Sequence, residues 1–509
     1  MDMIKPSKKE FLDSLRRGMM IPLSSELDTS VTTPLGSFEA LRGMGFPVLL
    51  ESARVSKKTG RYSFVTADPY LIFKSRGESI ELELPAAPAG KYGRRATMKR
   101  RALGKLRELL SNYRTERISG LPPFTGGAVG FFSYDFVHQL ETLPRRARID
   151  LDIPEAYFVF VDTVVAFDHI LNRAWLIVNP GAREQELGFR RPAPDEWERI
   201  YDEAVVRIRD ISARLAKSAV TDDLPSPDVG GISEHPRLDS FIAQPAFESM
   251  VKRCKEYISA GDIYQANLSQ RLSGPVGGAD PFRLYRILRA INPSPFAACL
   301  DFGDVQLVSS SPERLIRLRS GLVDTRPIAG TRRRGSDGRE TEMLTRELLA
   351  NEKERAEHIM LLDLERNDLG KVCDYGTVQV DEMMVVEDYS HVIHIVSNVR
   401  GELTAGRDAL DLVRAVFPGG TITGVPKVRC MEIIDELEPV ARGPYTGSIG
   451  YISNAGDMDL NIIIRTFVIK DGSAHVQVGA GIVADSDPER EYYETIQKAE
   501  ALQKAFALL

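Results

Sequence analysis

Strand-like segments occur in both halves of the chain, and they constrain its fold more than any other feature. Residues 156–179, AYFVFVDTVVAFDHILNRAWLIVN, carry β-branched and aromatic residues with polar breaks that suit hairpins. Residues 60–77 have the same character, and three further segments of this kind, GSIGYIS, DLNIIIRTFVIKDG and SAHVQVGAGIV, lie between residues 447 and 483. Helical patterns are mixed with these strands without strict βαβ alternation. The sequence therefore predicts an α+β fold rather than a doubly wound parallel sheet.

Helical patterns and one linker-like stretch divide the chain. Residues 219–236 are rich in Pro, Gly, Asp and Ser, which is typical of a loop or linker. We expect an N-terminal half at 1–218, a linker at 219–243 and a C-terminal half at 244–509. The predicted helices cover residues 98–113, 195–217, 246–261, 347–370, 408–417 and 487–506.

Composition excludes several classes of partner and compartment. The net charge of −6 and the pI near 5.8 give no support for a nucleic-acid or anionic-membrane partner. No apolar run approaches the ~20 residues that cross a bilayer, and the N-terminus lacks a signal-peptide core. Four scattered cysteines without a CxxC pair are typical of free thiols in a reducing compartment. We therefore expect a cytoplasmic protein.

Two pairs of glutamates lie on predicted helices. Glu354 and Glu357 are three residues apart, as are Glu491 and Glu494, so each pair shares one helix face. Facing each other, the pairs would supply the oxygen ligands that Mg²⁺ prefers. Considered alone, each pair is also compatible with an ordinary solvated helix face.

A glycine-rich turn precedes a predicted helix in VFPGGTITGVPKVRCMEIIDEL, residues 416–437. Gly419, Gly420 and Gly424 leave backbone N–H groups exposed, and Pro426 lies in the first helical turn, where proline is tolerated. Such a turn suits a carboxylate or a phosphate. It is not a Walker motif, and a plain structural turn is the alternative.

Two polar residues stand in otherwise apolar surroundings. Arg465 lies in the predicted strand NIIIRTF, where its charge requires an anionic partner, either a ligand or a structural ion pair. His394 lies in VIHIV, and either a catalytic role or a satisfied core histidine fits this pattern. Gly479 and Gly481, in VGAGIVADSDP, offer bare backbone that a ligand could approach.

Taken in order, these segments resemble the chorismate-utilising enzymes, a family that includes anthranilate, aminodeoxychorismate, isochorismate and salicylate synthases. The matching segments are GDIYQANLSQR, SSSPERL, TRPIAGTRRRG, ERAEHIMLLDLERNDLG, FPGGTITGVPK, RGPYTGSIGYIS, IIIRT and GAGIVADSDPEREYYET. LLES, GRYSF and FTGGAVGFFSYD resemble the N-terminal half of the aminating members. The resemblance covers nearly the whole chain. It implies a sandwich of two facing sheets with helices outside, built from two interleaved halves, the second of which binds chorismate.

The resemblance also assigns roles by position. Both glutamate pairs would form one Mg²⁺ site, bridging to the ring carboxylate of chorismate. His394 would be a general acid or hydrogen-bond donor at the departing C4 oxygen. Arg465 and Tyr445, with backbone at Gly479 and Gly481, would hold the pyruvyl side chain. The further pocket residues implied are Gly420, Thr421, Thr331 and Lys498.

Gln265 distinguishes ammonia from water within this resemblance. Water-adding members carry a lysine at this position, which can act as a general base on water. A glutamine cannot accept a proton at working pH, whereas ammonia is already nucleophilic. Gln265 therefore favours amination. None of the four cysteines lies in an obvious nucleophile elbow, so the resemblance implies a separate glutamine amidotransferase subunit as the source of ammonia.

Different motifs of the sequence indicate different products. YQANLSQR, DLERND, FPGGTITG and YTGSIGY resemble the aminodeoxychorismate synthases, which place nitrogen at C4 on the way to para-aminobenzoate and folate. Ala329, in PIAGT, and the segment SHVIHIVSNVRG instead resemble anthranilate synthase, the tryptophan-pathway enzyme. We favour the C4 product and keep anthranilate as the alternative. A catalytically silent chorismate-binding subunit is a third reading, but it predicts the loss of pocket residues, and none is lost.

A possible tryptophan site is implied in the N-terminal half. Glu51 and Ser52, in LLES, resemble the tryptophan-binding segment of anthranilate synthases. The segment NPSPFAACL, residues 292–300, lacks the Tyr-Met pair that usually follows NPSP in tryptophan-inhibited members. This difference argues against feedback inhibition by tryptophan.

Overall fold

Two antiparallel sheets of twelve strands each form the centre of the protein. The computed structural model describes residues 4–56, 58–85, 93–184, 192–218, 237–333, 337–388 and 392–509. Helices cover the outer faces of both sheets, and the α+β sandwich expected from the sequence is confirmed. Within the described residues, none of the helices combines the length and the apolar character needed to span a bilayer.

The strands are numbered in chain order. The first twelve are β1 Leu23–Leu27, β2 Val48–Glu51, β3 Tyr62–Thr66, β4 Leu71–Arg76, β5 Ser79–Leu84, β6 Arg94–Lys99, β7 Gly127–Phe132, β8 Ala156–Val161, β9 Thr163–Asp168, β10 Arg173–Val178, β11 Asp239–Ser240 and β12 Gln265–Pro275. The others are β13 Phe296–Asp301, β14 Gln306–Ser311, β15 Arg314–Arg319, β16 Leu322–Arg326, β17 Ile328–Arg333, β18 Gln379–Asp388, β19 Val392–Glu402, β20 Gly424–Val425, β21 Ser448–Ser453, β22 Met458–Asn461, β23 Thr466–Lys470 and β24 Ser473–Ile482.

The helices are numbered in the same way. They are α1 Lys8–Arg16, α2 Pro34–Leu41, α3 Ala102–Asn112, α4 Trp197–Leu215, α5 Gln244–Ser259, α6 Pro281–Ile291, α7 Gly338–Ala350, α8 Glu352–Gly370, α9 Ala409–Val416, α10 Lys427–Leu437 and α11 Pro488–Ala507. Short 3₁₀ turns are formed by Arg42–Met44, Tyr134–Gln139 and Gly420–Ile422.

Each sheet contains strands from both halves of the chain. The first sheet has the order β1-β10-β9-β3-β2-β13-β14-β23-β24-β12-β11, with β20 pairing on β12. The second has the order β17-β19-β16-β15-β22-β21-β7-β8-β4-β5-β6, with β18 pairing on β19. The halves are therefore interleaved rather than separate. Within the predicted linker, residues 219–236 lie outside the described residues, and Asp239–Ser240 forms the short strand β11.

The strand β8 shows why the sequence forms this sandwich. All six of its residues are buried, with side chains alternating between the two faces. Tyr157 and Val159 pack in the layer between the sheets, whereas Phe158 and Phe160 pack outward in a core that also includes α3 residues. Burying each of these phenylalanines contributes about 1.5–3 kcal/mol. A strand buried on both faces explains the near-continuous apolar run at 156–161.

The prediction of one continuous helix over residues 347–370 is wrong, because the structure has two helices that meet at Asn351. There α7 ends and α8 begins, and the Asn351 side chain accepts a hydrogen bond from the Glu354 backbone at 3.0 Å. Asparagine is a preferred N-cap because its side-chain oxygen satisfies an otherwise unpaired N–H. The break places Glu354 in the first turn of α8.

Two other boundaries were predicted wrongly. The helix predicted from residue 98 begins at Ala102, because residues 94–99 pair with β5 as an edge strand. The segment 459–472 is not one strand, because β22 belongs to the second sheet and β23 to the first. The chain crosses between the sheets at Ile462–Arg465, and Arg465 has a φ of 51°. Arg465 therefore lies on a crossover rather than inside a strand.

Candidate active site

The neighbouring strands β12 and β24 form one wall of the candidate site. In their antiparallel register Asn267 is opposite Gly481, and Ser269 is opposite Gly479. Opposite residues in a pair of strands point to the same face of the sheet, as do residues two apart along one strand. Gln265, Asn267, Gly479 and Gly481 therefore share one face.

The two glycines in this wall leave room that any side chain would fill. A Cβ at Gly479 would lie 2.5 Å from Asn267 Oδ1 and 2.8 Å from the Tyr445 hydroxyl. A Cβ at Gly481 would lie 2.6 Å from Gln265 Nε2. The register and these distances bring together Gln265, Tyr445 and both glycines, which are four of the residues predicted for the site.

The buried side chain of Arg442 stabilises this wall through several contacts. It is buried, pairs with Glu438 at 2.7 Å, and donates to the carbonyl oxygens of Asn267 at 2.6 Å and Ile422 at 3.0 Å. Its guanidinium centre lies 5.6 Å from the centre of the Tyr445 ring. One buried cation thus holds β12, the glycine-rich turn and Tyr445 in a fixed relation.

We expect Arg442→Met to destabilise the fold strongly. The substitution leaves the Glu438 carboxylate buried without its cation, a loss that typically costs about 3–5 kcal/mol. The Ser269 backbone and hydroxyl donate to Glu438 at 2.8 and 2.7 Å, but neither supplies a positive charge. The free energy of unfolding, from urea titration followed by circular dichroism, measures the loss.

Arg199→Met is the matched control for this prediction. Arg199 pairs with Glu203 at 2.6 Å on the exposed face of α4, and both side chains are about half exposed. Exposed ion pairs contribute about 0–1 kcal/mol. A loss in Arg442→Met no larger than that in Arg199→Met would contradict the supporting role.

Two buried carboxyl groups lie beside the glycine-rich turn. Burial raises the pKa of Glu313 to about 7, although the Thr421 hydroxyl and the charge of Arg465 oppose the shift. Burial also raises the pKa of Glu365 to about 7, with a hydrogen bond from the Gly420 backbone opposing it. The two groups face Thr421 and Gly420, which the sequence predicted as pocket residues. Glu313 can therefore donate a proton near neutral pH.

His394 is buried on β19, with Nδ1 3.3 Å from the carbonyl oxygen of Gly330. Since a carbonyl only accepts, Nδ1 carries the proton in this contact. Burial, followed by the positive charge of Arg465, lowers the pKa of His394 to about 4. At neutral pH the ring is therefore uncharged, which favours a polar contact over donation of a proton by an imidazolium.

Arg465 connects the two groups just described. Its charge lowers the pKa of both His394 and Glu313, so its guanidinium lies within electrostatic reach of both groups. The backbone holds this crossover in place, because Ser310 N donates to the Arg465 carbonyl at 3.1 Å. Thr331 lies opposite His394 in the β17–β19 pairing. The side chains of Thr331 and Ala329 lie outside the described part of the structure.

Lys498 attaches α11 to the wall. Its Nζ donates to the Gly479 carbonyl at 2.9 Å and pairs with Glu494, also at 2.9 Å. The face of α11 that carries Glu494 therefore lies beside the pocket glycines. The sequence predicted both residues near the pocket, and the structure brings them together.

The predicted Mg²⁺ site is assembled only in part. Glu354 packs against the Gly330 backbone, because a Cβ at Gly330 would lie 2.3 Å from Glu354 Oε2. Gly330 also contacts His394, so α8 reaches the pocket through its first turn. Carboxylates are the donors that Mg²⁺ takes, so the chemistry of the donor set fits. In the described part of the chain, however, no three His, Cys, Asp or Glu side chains are gathered to hold an ion.

A second cavity lies between the sheets, away from this wall. It is lined by Glu51, Ser52 and Phe296, together with side chains such as Arg314 and Tyr451. The Glu51 carboxylate accepts from the Tyr285 hydroxyl at 2.5 Å and from Arg289 at 2.8 Å. The Ser52 hydroxyl donates to the Tyr62 carbonyl at 2.7 Å. The two residues predicted for tryptophan thus line a cavity while making structural hydrogen bonds.

Comparison with known proteins identifies the family. The sequence model of the family described as chorismate binding enzyme matches residues 58–504 of this chain. The chain belongs to this family. It is 41% identical to anthranilate synthase component 1 of Acetivibrio thermocellus over 96% of this chain and 95% of that protein. It is 42% identical to aminodeoxychorismate synthase component 1 of Bacillus subtilis over 91% of this chain and 92% of that protein.

One solved structure is similar to that of this chain over most of its length. Anthranilate synthase component I from Streptococcus pneumoniae superposes with a TM-score of 0.71 at 32% identity, covering 89% of this chain and 93% of that one. The resemblance drawn from the sequence motifs and the fold class are both confirmed.

Three residues of the site were missed by the sequence reasoning. Glu313 and Asn267 lie inside the motifs SSSPERL and YQANLSQR, and Arg442 opens RGPYTGSIGYIS. Asn267 could have been found from its spacing, since it is two residues beyond Gln265 on a strand. Glu313 and Arg442 follow ordinary charged patterns, and only burial distinguishes them.

Proposed function

We propose that the protein is a synthase subunit that aminates chorismate with ammonia. Gln265 carries this proposal. Its side chain lies beside Gly481 in the wall, and it cannot act as a base on water, as a lysine could. Ammonia needs no such base because its lone pair is free in the neutral form. Relatives named for two aminating synthases, each over 40% identical across nine-tenths of the chain, support the same reading.

The ammonia would come from a separate glutamine amidotransferase subunit. A glutaminase of the cysteine type needs a reactive thiolate. All four cysteines here are buried: Cys254, Cys299, Cys373 and Cys430. Burial raises the pKa of every one of these thiols, so none is poised as a nucleophile. The names of the relatives, each a component 1, fit a two-component enzyme.

Replacement of the C4 hydroxyl requires a proton for the departing oxygen and the loss of one from nitrogen. Glu313 would donate the first proton, because burial raises the pKa of its carboxyl to about 7, and the carboxylate left behind would accept the proton that nitrogen loses. His394 would give a neutral polar contact beside it. Arg465 and Tyr445 would bind the pyruvyl carboxylate, and the bare backbone at Gly479 and Gly481 would let the ring approach the wall.

The cofactor in this proposal is Mg²⁺. Glu354 and Glu357 on α8, with Glu491 and Glu494 on α11, would hold it. When bound, the ion would neutralise a substrate carboxylate and supply Lewis-acid stabilisation. Lys498 now pairs with Glu494 and also reaches the Gly479 carbonyl, so it would give up one ion pair while keeping its contact with the wall.

The proposed product is 4-amino-4-deoxychorismate, on the branch to para-aminobenzoate and folate. The segment YQANLSQR supports this product, whereas Ala329 supports anthranilate as the alternative. The relatives carry both names at nearly equal identity. In either case bound tryptophan at Glu51 and Ser52 would be structural, because Phe296 and Ala297 stand where inhibited enzymes carry Tyr-Met.

The product assay tests the function directly. We expect the chain, given chorismate, Mg²⁺ and ammonium, to form aminodeoxychorismate, detected by mass and converted to para-aminobenzoate by an added lyase. Glutamine in place of ammonium should give no product without the partner subunit. Fluorescent anthranilate would overturn the preferred product but keep the amination. Folded protein that binds chorismate and forms neither product would support the catalytically silent alternative.

A further inference from the structure

Two side-chain amides in the β12 wall have buried carbonyl oxygens, and Gln265 turns its Nε2 toward Gly481. Gln265 Oε1 and Asn267 Oδ1 are both buried, and neither accepts a hydrogen bond within the described residues. They are two residues apart on one strand, so they lie on the same face. Buried acceptors in native proteins almost always have a donor, because leaving one unpaired costs free energy. The pair therefore indicates a ligand that donates hydrogen bonds.

The surroundings of Asn267 direct its side chain toward the site. Its backbone is held on both sides, since its N–H donates to the Thr423 carbonyl at 2.9 Å and its own carbonyl accepts from Arg442 at 2.6 Å. Its Oδ1 lies 2.5 Å from where a Gly479 Cβ would be. The strand is thus fixed, and the amide projects over bare backbone.

The chemistry of the reactants selects the donor. Chorismate has two carboxylates, which are acceptors and would be repelled by a carbonyl oxygen, and one ring hydroxyl. Ammonia has three N–H donors and one lone pair. Two carbonyl acceptors would engage two of its N–H bonds and leave the lone pair directed away from the wall. A nucleophile held in this way loses orientational freedom before it reacts.

We propose that Asn267 is an ammonia-positioning residue, which works with Gln265 to hold the incoming ammonia against the β12 wall. This inference rests on the proposed function, since it assigns a place to the nucleophile of that reaction. It adds Asn267 to Gln265, which the sequence analysis associated with amination.

Asn267→Leu tests the proposal. Leucine keeps the branched shape of the side chain but has no acceptor, so we expect the KM for ammonium to rise about tenfold, the effect of one lost hydrogen bond. The KM for chorismate should change less than twofold. Both are measured at fixed pH with the full chain, and thermal melting shows that the fold is retained.

Asn267→Asp separates positioning from structure. Aspartate keeps the acceptor, so the KM for ammonium should stay within about threefold of the wild type. Its negative charge would repel the chorismate dianion, so the KM for chorismate should rise. Asn112→Leu, at the exposed end of α3, is the matched control, and it should leave both constants unchanged.

The outcomes distinguish this inference from the proposed function. If the wild type forms no aminated product, the proposed function fails before any variant is compared. If the wild type aminates chorismate but Asn267→Leu keeps its KM for ammonium, the positioning role is overturned. Equal increases in both KM values for Asn267→Leu would also overturn it, because they would indicate a general distortion of the pocket.

Discussion

Glu357→Ala is expected to abolish turnover while leaving the fold intact. Glu357 is half-buried on α8, one turn beyond Glu354, whose carboxylate packs against the Gly330 backbone beside His394. Removing a residue that hydrogen-bonds to a metal ligand weakens metal binding about 10–100-fold. Removing a ligand itself should weaken binding at least as much. Without a cation near the pocket, the carboxylates of the protein and of chorismate would repel each other.

The measurement has two parts. Titration calorimetry with Mg²⁺ should show at least tenfold weaker binding in the variant, and the product assay should show no turnover. Asp363→Ala is the control, because Asp363 lies on the same helix but is exposed and pairs with Arg366 at 3.0 Å. Unchanged Mg²⁺-dependent activity in Glu357→Ala would refute the metal assignment.

Regular local patterns could be predicted from the sequence, because they depend on neighbours along the chain. The run at 156–161 predicts a strand because every second side chain enters the same buried layer. The spacing of Glu354 and Glu357 fixes their common helix face in the same way. Neither pattern could fix where α8 lies relative to α11, and within the described residues the two glutamate pairs are not gathered into one metal site.

The remaining features depend on contacts between distant segments. Arg465 follows three isoleucines, which predicts a strand, but the chain must cross from the second sheet to the first at this point. The crossover brings its charge close to both His394 and Glu313. The shifted pKa of Glu313 likewise depends on burial by residues far away in sequence. The motifs could assign these residues to positions in a family. They could not predict the protonation state of each side chain.

We expect Glu313→Gln to lower kcat by about 10²–10⁴-fold, the usual contribution of a general acid. Glutamine keeps the shape and the polarity of the side chain but has no acidic proton. The wild type should lose activity as the pH rises through about 7, because Glu313 donates only while it is protonated. The variant should lack this limb in a profile of kcat against pH.

Stability gives an independent readout of the same group. Because burial raises the folded pKa of Glu313 above its ordinary value of 4.5, the folded state binds more protons between those two pKa values. Its contribution is therefore full below pH 4.5 and is lost as the pH rises to about 7. The melting temperature of Glu313→Gln minus that of the wild type should therefore be more positive at pH 8 than at pH 5.

Glu365→Gln is the control that separates burial from catalysis. Glu365 is also buried with a pKa raised to about 7, but it accepts from the Gly420 backbone. We expect this variant to change the pH dependence of melting in the same direction and to keep the activity limb near pH 7. If Glu313→Gln retained that limb and Glu365→Gln lost it, the proton donor would be Glu365, and the assignment of Glu313 would be wrong.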